Sequence, residues 1–267
     1  MSSTEGIQEA AILGGQLRAA RESIGLSVAE AAEAVGASPD ELVAWESDKA
    51  QPPVEGLWEL AELYFRSVDY FLRPTPPPPA NVSFRVTRAK ALRDLSLDAR
   101  QVLARFEELC RAQTDLERLL GEPAPSPLPS VDGAVDPEAL AESERGRLGL
   151  ADRPISDLRG VLEGDGVRVF ERQVPGDEVA GLSWRHAAYG PCILVNAGDR
   201  LERRRWTVAH EYFHVVTSES AHICDLESVG SSEERLAQGF AANFLMPPEA
   251  FLSDWEKRGA PGEGLTW

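Results

Sequence analysis

From residue 12 to residue 72, apolar side chains recur at three- and four-residue spacing between short polar or glycine-bearing stretches. That pattern predicts a string of short amphipathic helices, over 12–23, 27–35, 38–48, from Pro52-Pro53 to 64, and 68–72. Two of the starts are written into the sequence. Ser27-Val28-Ala29-Glu30 and Ser38-Pro39-Asp40-Glu41 each set a serine three residues before a glutamate, so that the two side chains satisfy each other's backbone N–H groups. Pro39 falls at the first helical position, where its missing N–H costs nothing. Gly36-Ala37 turns the chain between them, and two short helices joined by a tight glycine turn form a helix-turn-helix.

Beyond this unit the period changes twice. Leu103, Phe106, Leu109 and Cys110, then Leu116, Leu119 and Leu120, keep helical spacing and predict one long amphipathic helix over 97–120, a packing or dimerisation helix. After residue 137 helix and strand alternate. Helices are expected over 137–148, 154–162, 201–216 and 232–245, and strands at 167–170, 182–184 and 192–196. Proline-rich stretches separate the three parts: Pro74 to Pro79, and a run with Pro123, Pro125, Pro127 and Pro129, both expected as extended spacers. The expected fold class is therefore α+β. An all-α helix-turn-helix domain (1–73) comes first, then a linker helix (81–121), then a C-terminal domain (137–267) with a small β-sheet.

Composition narrows the setting. The chain has 267 residues, 43% of them hydrophobic, enough to bury a core. Its three cysteines, Cys110, Cys192 and Cys224, are widely spaced and make no CxxC pair, as expected of a reducing, cytoplasmic compartment. There is no leader-like start and no long apolar run, so no membrane association is expected. The net charge of −17 argues against general adhesion to nucleic acid or anionic lipid.

The chemistry concentrates at His210-Glu211-Tyr212-Phe213-His214, an HExxH motif on the helix expected over 201–216. At about 100° per residue, His214 lies about 40° from His210 and one turn along. Both imidazoles can reach one metal ion, with Glu211 beside it to take a proton from water. A catalytic zinc wants a third protein ligand. A metzincin would need glycine at 217 and histidine at 220, but the chain has Thr217 and Ser220. Glu234 on the next helix is the better candidate, with Gln238 one turn on to support a ligating histidine. Glu233 is the alternative ligand, and His222 could also approach the metal. Candidate oxyanion donors are His186, Tyr189 and His222, and the sequence does not choose among them.

These residues carry a resemblance. The stretch 203–214, Arg203-Arg204-Arg205-Trp206 through His214, resembles the active-site helix of the ImmA/IrrE family of bacterial metallopeptidases. Phe240-Ala241-Ala242-Asn243-Phe244-Leu245-Met246-Pro247 resembles that family's FA..LLMP element. Pro154-Ile155, Gly181-Leu182-Ser183 and Ile193-Leu194-Val195-Asn196 agree in order and spacing, so the resemblance spans about residues 140 to 255. It implies a zincin-like metallopeptidase domain, with zinc on His210, His214 and Glu234 and a general base at Glu211. It also implies a zinc-dependent endopeptidase that cleaves a partner transcriptional repressor and relieves repression in a stress or mobile-element response. Gln238 departs from the family's usual Asp or Asn. Family members commonly continue with more helices where this chain ends, so whether it is truncated there stays open. The N-terminal unit is similar to Xre-type helix-turn-helix modules at Leu17, Arg18, Arg21, Gly25-Leu26, Ala31, Val35, Gly36, Ser38, Trp45-Glu46 and Pro52.

Charge complicates that second resemblance. Between Gly14 and Leu72 four basic residues face eleven acidic ones, a net of −7. Asp40, Glu41, Glu46 and Asp48 all sit on or beside the expected recognition helix, two of them, Glu41 and Glu46, expected to cap it or face away. Because DNA affinity rests on neutralised phosphates, weak or no DNA binding is expected. The module would then dock a protein, such as the helix-turn-helix of the substrate repressor. The basic run Arg85, Arg88, Lys90 and Arg93 could supply phosphate contacts, though a solvated helix start is its simpler reading. The alternative function is a transcriptional regulator whose peptidase-like domain senses a ligand or a metal.

Overall fold

The structure is a computed structural model; it describes residues 13–72, 85–86, 96–122, 128, 131, 135–174, 179–217, 222–224 and 232–258. Both proline-rich spacers fall largely outside the described residues, as do the side chains of Arg85, Arg88, Lys90 and Arg93. The chain forms two compact units, residues 1–81 with 91–109, and residues 82–90 with 110–267.

The first unit holds α1 (Gly14–Ser23), α2 (Val28–Ala34), α3 (Pro39–Glu46), α4 (Val54–Leu63), α5 (Val68–Leu72) and the first half of α6 (Leu97–Leu120). Both capping boxes form, with Ser27 and Glu30 opening α2 and Ser38 and Glu41 opening α3. Helix α1 approaches α3 so closely that a Cβ on Gly14 would lie 2.3 Å from the Trp45 carbonyl oxygen. The core gathers Leu17, Ile24, Leu42, Leu60, Tyr64 and Phe71, all fully buried. Two cations are spent inside it. Arg21 forks onto the Glu46 carboxylate (2.6 and 2.8 Å), and the buried Arg66 pairs with Glu107 on α6. The first half of α6 is thus part of this unit: Ala104 joins its core and Arg100 donates to the Ile24 carbonyl at 2.8 Å. The apolar pattern of α6 divides accordingly. Leu103, Phe106 and Cys110 are buried, while Leu116, Leu119 and Leu120 point to solvent.

The second unit packs helices on a five-stranded sheet of order β1-β5-β3-β4-β2. The strands are β1 (Arg85–Val86), β2 (Arg168–Arg172), β3 (Gly181–His186), β4 (Gly190–Asn196) and β5 (His222–Cys224). β2 runs parallel to β4, β3 is antiparallel to both β4 and β5, and β1 adds parallel to β5. The helices are α7 (Pro137–Arg147), α8 (Leu158–Gly164), α9 (Leu201–Thr217), α10 (Ser232–Leu245) and α11 (Pro248–Arg258). α8 starts four residues later than its periodicity predicts. Asp157 accepts from the Gly160 N–H at 2.8 Å and starts the helix there, leaving Ile155 buried in the preceding loop. The core joins Ile193 and Val195 of β4 to Tyr212, Phe213 and Val216 of α9 and Phe240 and Phe244 of α10. No helix among the described residues is long and apolar enough to cross a membrane.

Candidate metal centre

α9 changes character along its length. From Leu201 to Trp206 it is exposed or half-buried, every residue from Thr207 to Val216 is buried, and Thr217 at the end is half-buried. The three arginines before the motif each tie the helix down: Arg203 to Asp199 (3.2 Å), Arg204 to Glu171, and Arg205 to the Ile155 and Ser156 carbonyls. Deeper in, the Tyr212 hydroxyl donates to Glu144 of α7 at 2.6 Å, and Arg147 bridges Glu144 (2.8 Å) and Asp165 (2.6 Å). Burial, reinforced by that bond to Glu144, holds the Tyr212 hydroxyl protonated well above the usual tyrosine range. This brace faces away from the motif histidines and fixes the rotation of α9.

On the other side, His210 and His214 stand one turn apart with their Nε2 atoms 3.4 Å apart. Glu234, in the first turn of α10, meets them: Oε2 lies 3.1 Å from His210 Nε2 and Oε1 3.7 Å from His214 Nε2. All three residues are buried, and their donor atoms lie within 4.8 Å of one another. Two imidazoles and a carboxylate are a zinc donor set. A tetrahedral ion with bonds of about 2.0–2.2 Å needs donors about 3.3–3.5 Å apart; the two Nε2 atoms lie at 3.4 Å, and the nearest Glu234 oxygens, a different one for each histidine, lie at 3.1 and 3.7 Å. The residues therefore fit such an ion. Burial opposes protonation of His210, yet the bond to Glu234 and the charges of Glu211 and Glu234 outweigh it and raise its pKa. A metal cation would satisfy the same two carboxylates in place of that proton.

Glu211 is fully buried, and Gly181 at the start of β3 covers it. A Cβ there would lie 2.7 Å from Glu211 Oε1 and 2.6 Å from Thr207 Cγ2. Glycine lets the strand close over the carboxylate. Glu233, the alternative ligand, takes a different place: its Oε1 lies 3.7 Å from His214 Nδ1, on the face of the ring away from Glu234. That distance is beyond a hydrogen bond. Gln238, half-buried on α10, makes no hydrogen bond to either histidine among the described residues.

Two of the three candidate oxyanion donors, His186 and Tyr189, are not brought to this cluster. His186 and Tyr189 sit at the tip of the β3–β4 hairpin, stacked on each other at 4.3 Å with Trp184 against them. The site lies under the other end of β3, at Gly181, and five residues of strand span about 16 Å. The β5 backbone sets His222 opposite Ser183, and its side chain lies outside the described residues.

Comparison with known proteins agrees with both resemblances. Residues 162–263 match the family model of the IrrE N-terminal-like domain, a peptidase family, and residues 17–71 match a helix-turn-helix family model. The chain therefore combines an N-terminal helix-turn-helix with an IrrE-like peptidase-family domain. It is 29% identical over 142 residues to the radiation response metalloprotease IrrE of Deinococcus radiodurans, an alignment covering 49% of this chain and 42% of that protein. The chain thus spans less than half the length of this relative. No solved structure matches it.

Proposed function

We propose that this protein is a zinc-dependent endopeptidase that cleaves a partner helix-turn-helix repressor and so relieves repression, as part of a cytoplasmic stress response or the response of a mobile element. The observation that carries the reading is the convergence of His210, His214 and Glu234, with donor atoms within 4.8 Å of one another, beside a buried glutamate. The relative's printed name, a radiation response metalloprotease, supports both the class of chemistry and the stress setting.

His210 and His214 on α9 and Glu234 on α10 would hold the ion. Zinc supplies Lewis acidity, polarising the scissile carbonyl and making water acidic enough to attack near neutral pH. Glu211 takes the proton of the attacking water as its oxygen bonds to the carbonyl carbon, and delivers a proton to the amine as the C–N bond breaks. Gly181 keeps the Glu211 carboxylate confined, so that proton transfer starts from one geometry. The Tyr212–Glu144–Arg147 brace prevents α9 from turning.

The test is incubation of zinc-loaded full-length protein with helix-turn-helix repressors encoded near its own gene. Site-specific cleavage that Glu211→Gln abolishes is the expected result. Zinc binding with no cleavage of any such repressor would leave a metal-sensing regulator as the function.

A further inference from the structure

α4 buries Gly56, Leu57, Leu60 and Ala61 in the core of the first unit and turns a different composition outward. Val54 and Trp58, one turn apart, are 68% and 59% exposed. Phe65, just past the helix end and seven residues after Trp58, adds a third apolar side chain, 38% exposed. Its backbone is left-handed (φ 52), a conformation that glycine adopts freely and phenylalanine does not. Beside this apolar row run Glu55, Glu59 and Glu62, all exposed. Single exposed apolar residues are ordinary, whereas several large ones along one helix and its end form a candidate interaction surface.

We infer that this outward face of α4 docks an amphipathic helix of a protein partner, one that carries basic residues beside its apolar row. The inference goes beyond the peptidase reading and does not depend on it. Charge selects the occupant. Within residues 13–72 the exposed cations are Arg18 and Lys49, neither of them on α4, against ten exposed carboxylates. Nucleic acid would meet only like charge here. A second copy packed by two-fold symmetry would set the three glutamates against their own counterparts. A helix with lysines or arginines flanking leucine-like knobs would gain both apolar burial and complementary charge. Trp58 stands at the middle of the row, where a binding anchor is most effective.

The experiment titrates the full-length chain, by calorimetry, with a synthetic peptide of about 18 residues, long enough to hold a helix when bound. The peptide carries leucine at i, i+3, i+4 and i+7 and lysine elsewhere. The expected result is saturable one-to-one binding. Trp58→Ala should weaken it about 30-fold. The triple variant Glu55→Gln, Glu59→Gln, Glu62→Gln should weaken it and remove most of its salt dependence. Val54→Ser provides an independent variant should Trp58→Ala fail to fold, which circular dichroism would show. Four results would each overturn the proposal: no binding; equal binding of a scrambled peptide of the same composition; variants that bind like the parent; or a dimer in sedimentation that Trp58→Ala dissolves.

Discussion

Gly181 shows how a residue without a side chain can shape the surroundings of a buried carboxylate. A methyl at this position would occupy space already held by Glu211 Oε1 and Thr207 Cγ2. Gly181→Ala should therefore lower cleavage by an order of magnitude or more while leaving zinc in place, because it displaces the base and touches no ligand. Paired assays of metal content and turnover check this, and undiminished cleavage would mean that the confinement is irrelevant. Glu211→Gln separates the same roles more sharply. It keeps the shape and the ligands and removes the proton acceptor, so metal should stay while cleavage falls by about 100-fold or more. In the first unit the decisive pair is Arg21 with Glu46, both buried. Glu46→Ala would leave a buried guanidinium without its carboxylate and should cost about 3 kcal/mol, read as a lower denaturant midpoint for that unit.

At the scale of elements, the legible features were those with a long period or a local chemical signature. The capping boxes at Ser27 and Ser38, the HExxH helix and the helix carrying Glu234 could all be read along the chain. Apolar spacing and cap chemistry are local properties, and here tertiary contacts agree with them. β1 and β5 were not legible: two and three residues cannot display an alternation, and only pairing with β3 and with each other makes them strands. α11, starting at Pro248, is not among the expected elements, although Phe251, Leu252 and Trp255 fall at helical spacing; all three are exposed. The candidate metal centre divides the same way. His210 and His214 follow from spacing on one helix, and Glu234 from the pattern of the next. Glu233 and Glu234 differ only in the direction each faces on α10, which sequence resolves weakly. The oxyanion candidates His186 and Tyr189 were chosen by residue type alone, and the hairpin carries them to its far tip.

For the whole molecule, the structure alters the meaning of the acidic helix-turn-helix. Three of the four carboxylates at the recognition helix have structural work: Glu41 closes a capping box, Glu46 neutralises Arg21, and Asp48 accepts from the Gly14 N–H at 2.6 Å. This relieves the helix itself, with Asp40 the one left over. The surface as a whole gains nothing, because Arg21 and Arg66 are consumed inside and only Arg18 and Lys49 remain exposed within residues 13–72. Full-length protein should bind a duplex containing its own promoter weakly or not at all at physiological salt. Submicromolar, sequence-dependent binding in a fluorescence titration would restore the module as a direct DNA reader.

All of this rests on whether three side chains from two helices hold one zinc ion. The most direct measurement is elemental analysis of the purified full-length protein after mild dialysis, made in parallel on Glu234→Ala and Glu211→Gln. About one zinc per chain is expected for the parent and for Glu211→Gln, as three protein ligands with an open fourth position require, with clear loss for Glu234→Ala. A parent protein without metal, or zinc retained in full without Glu234, would contradict the account.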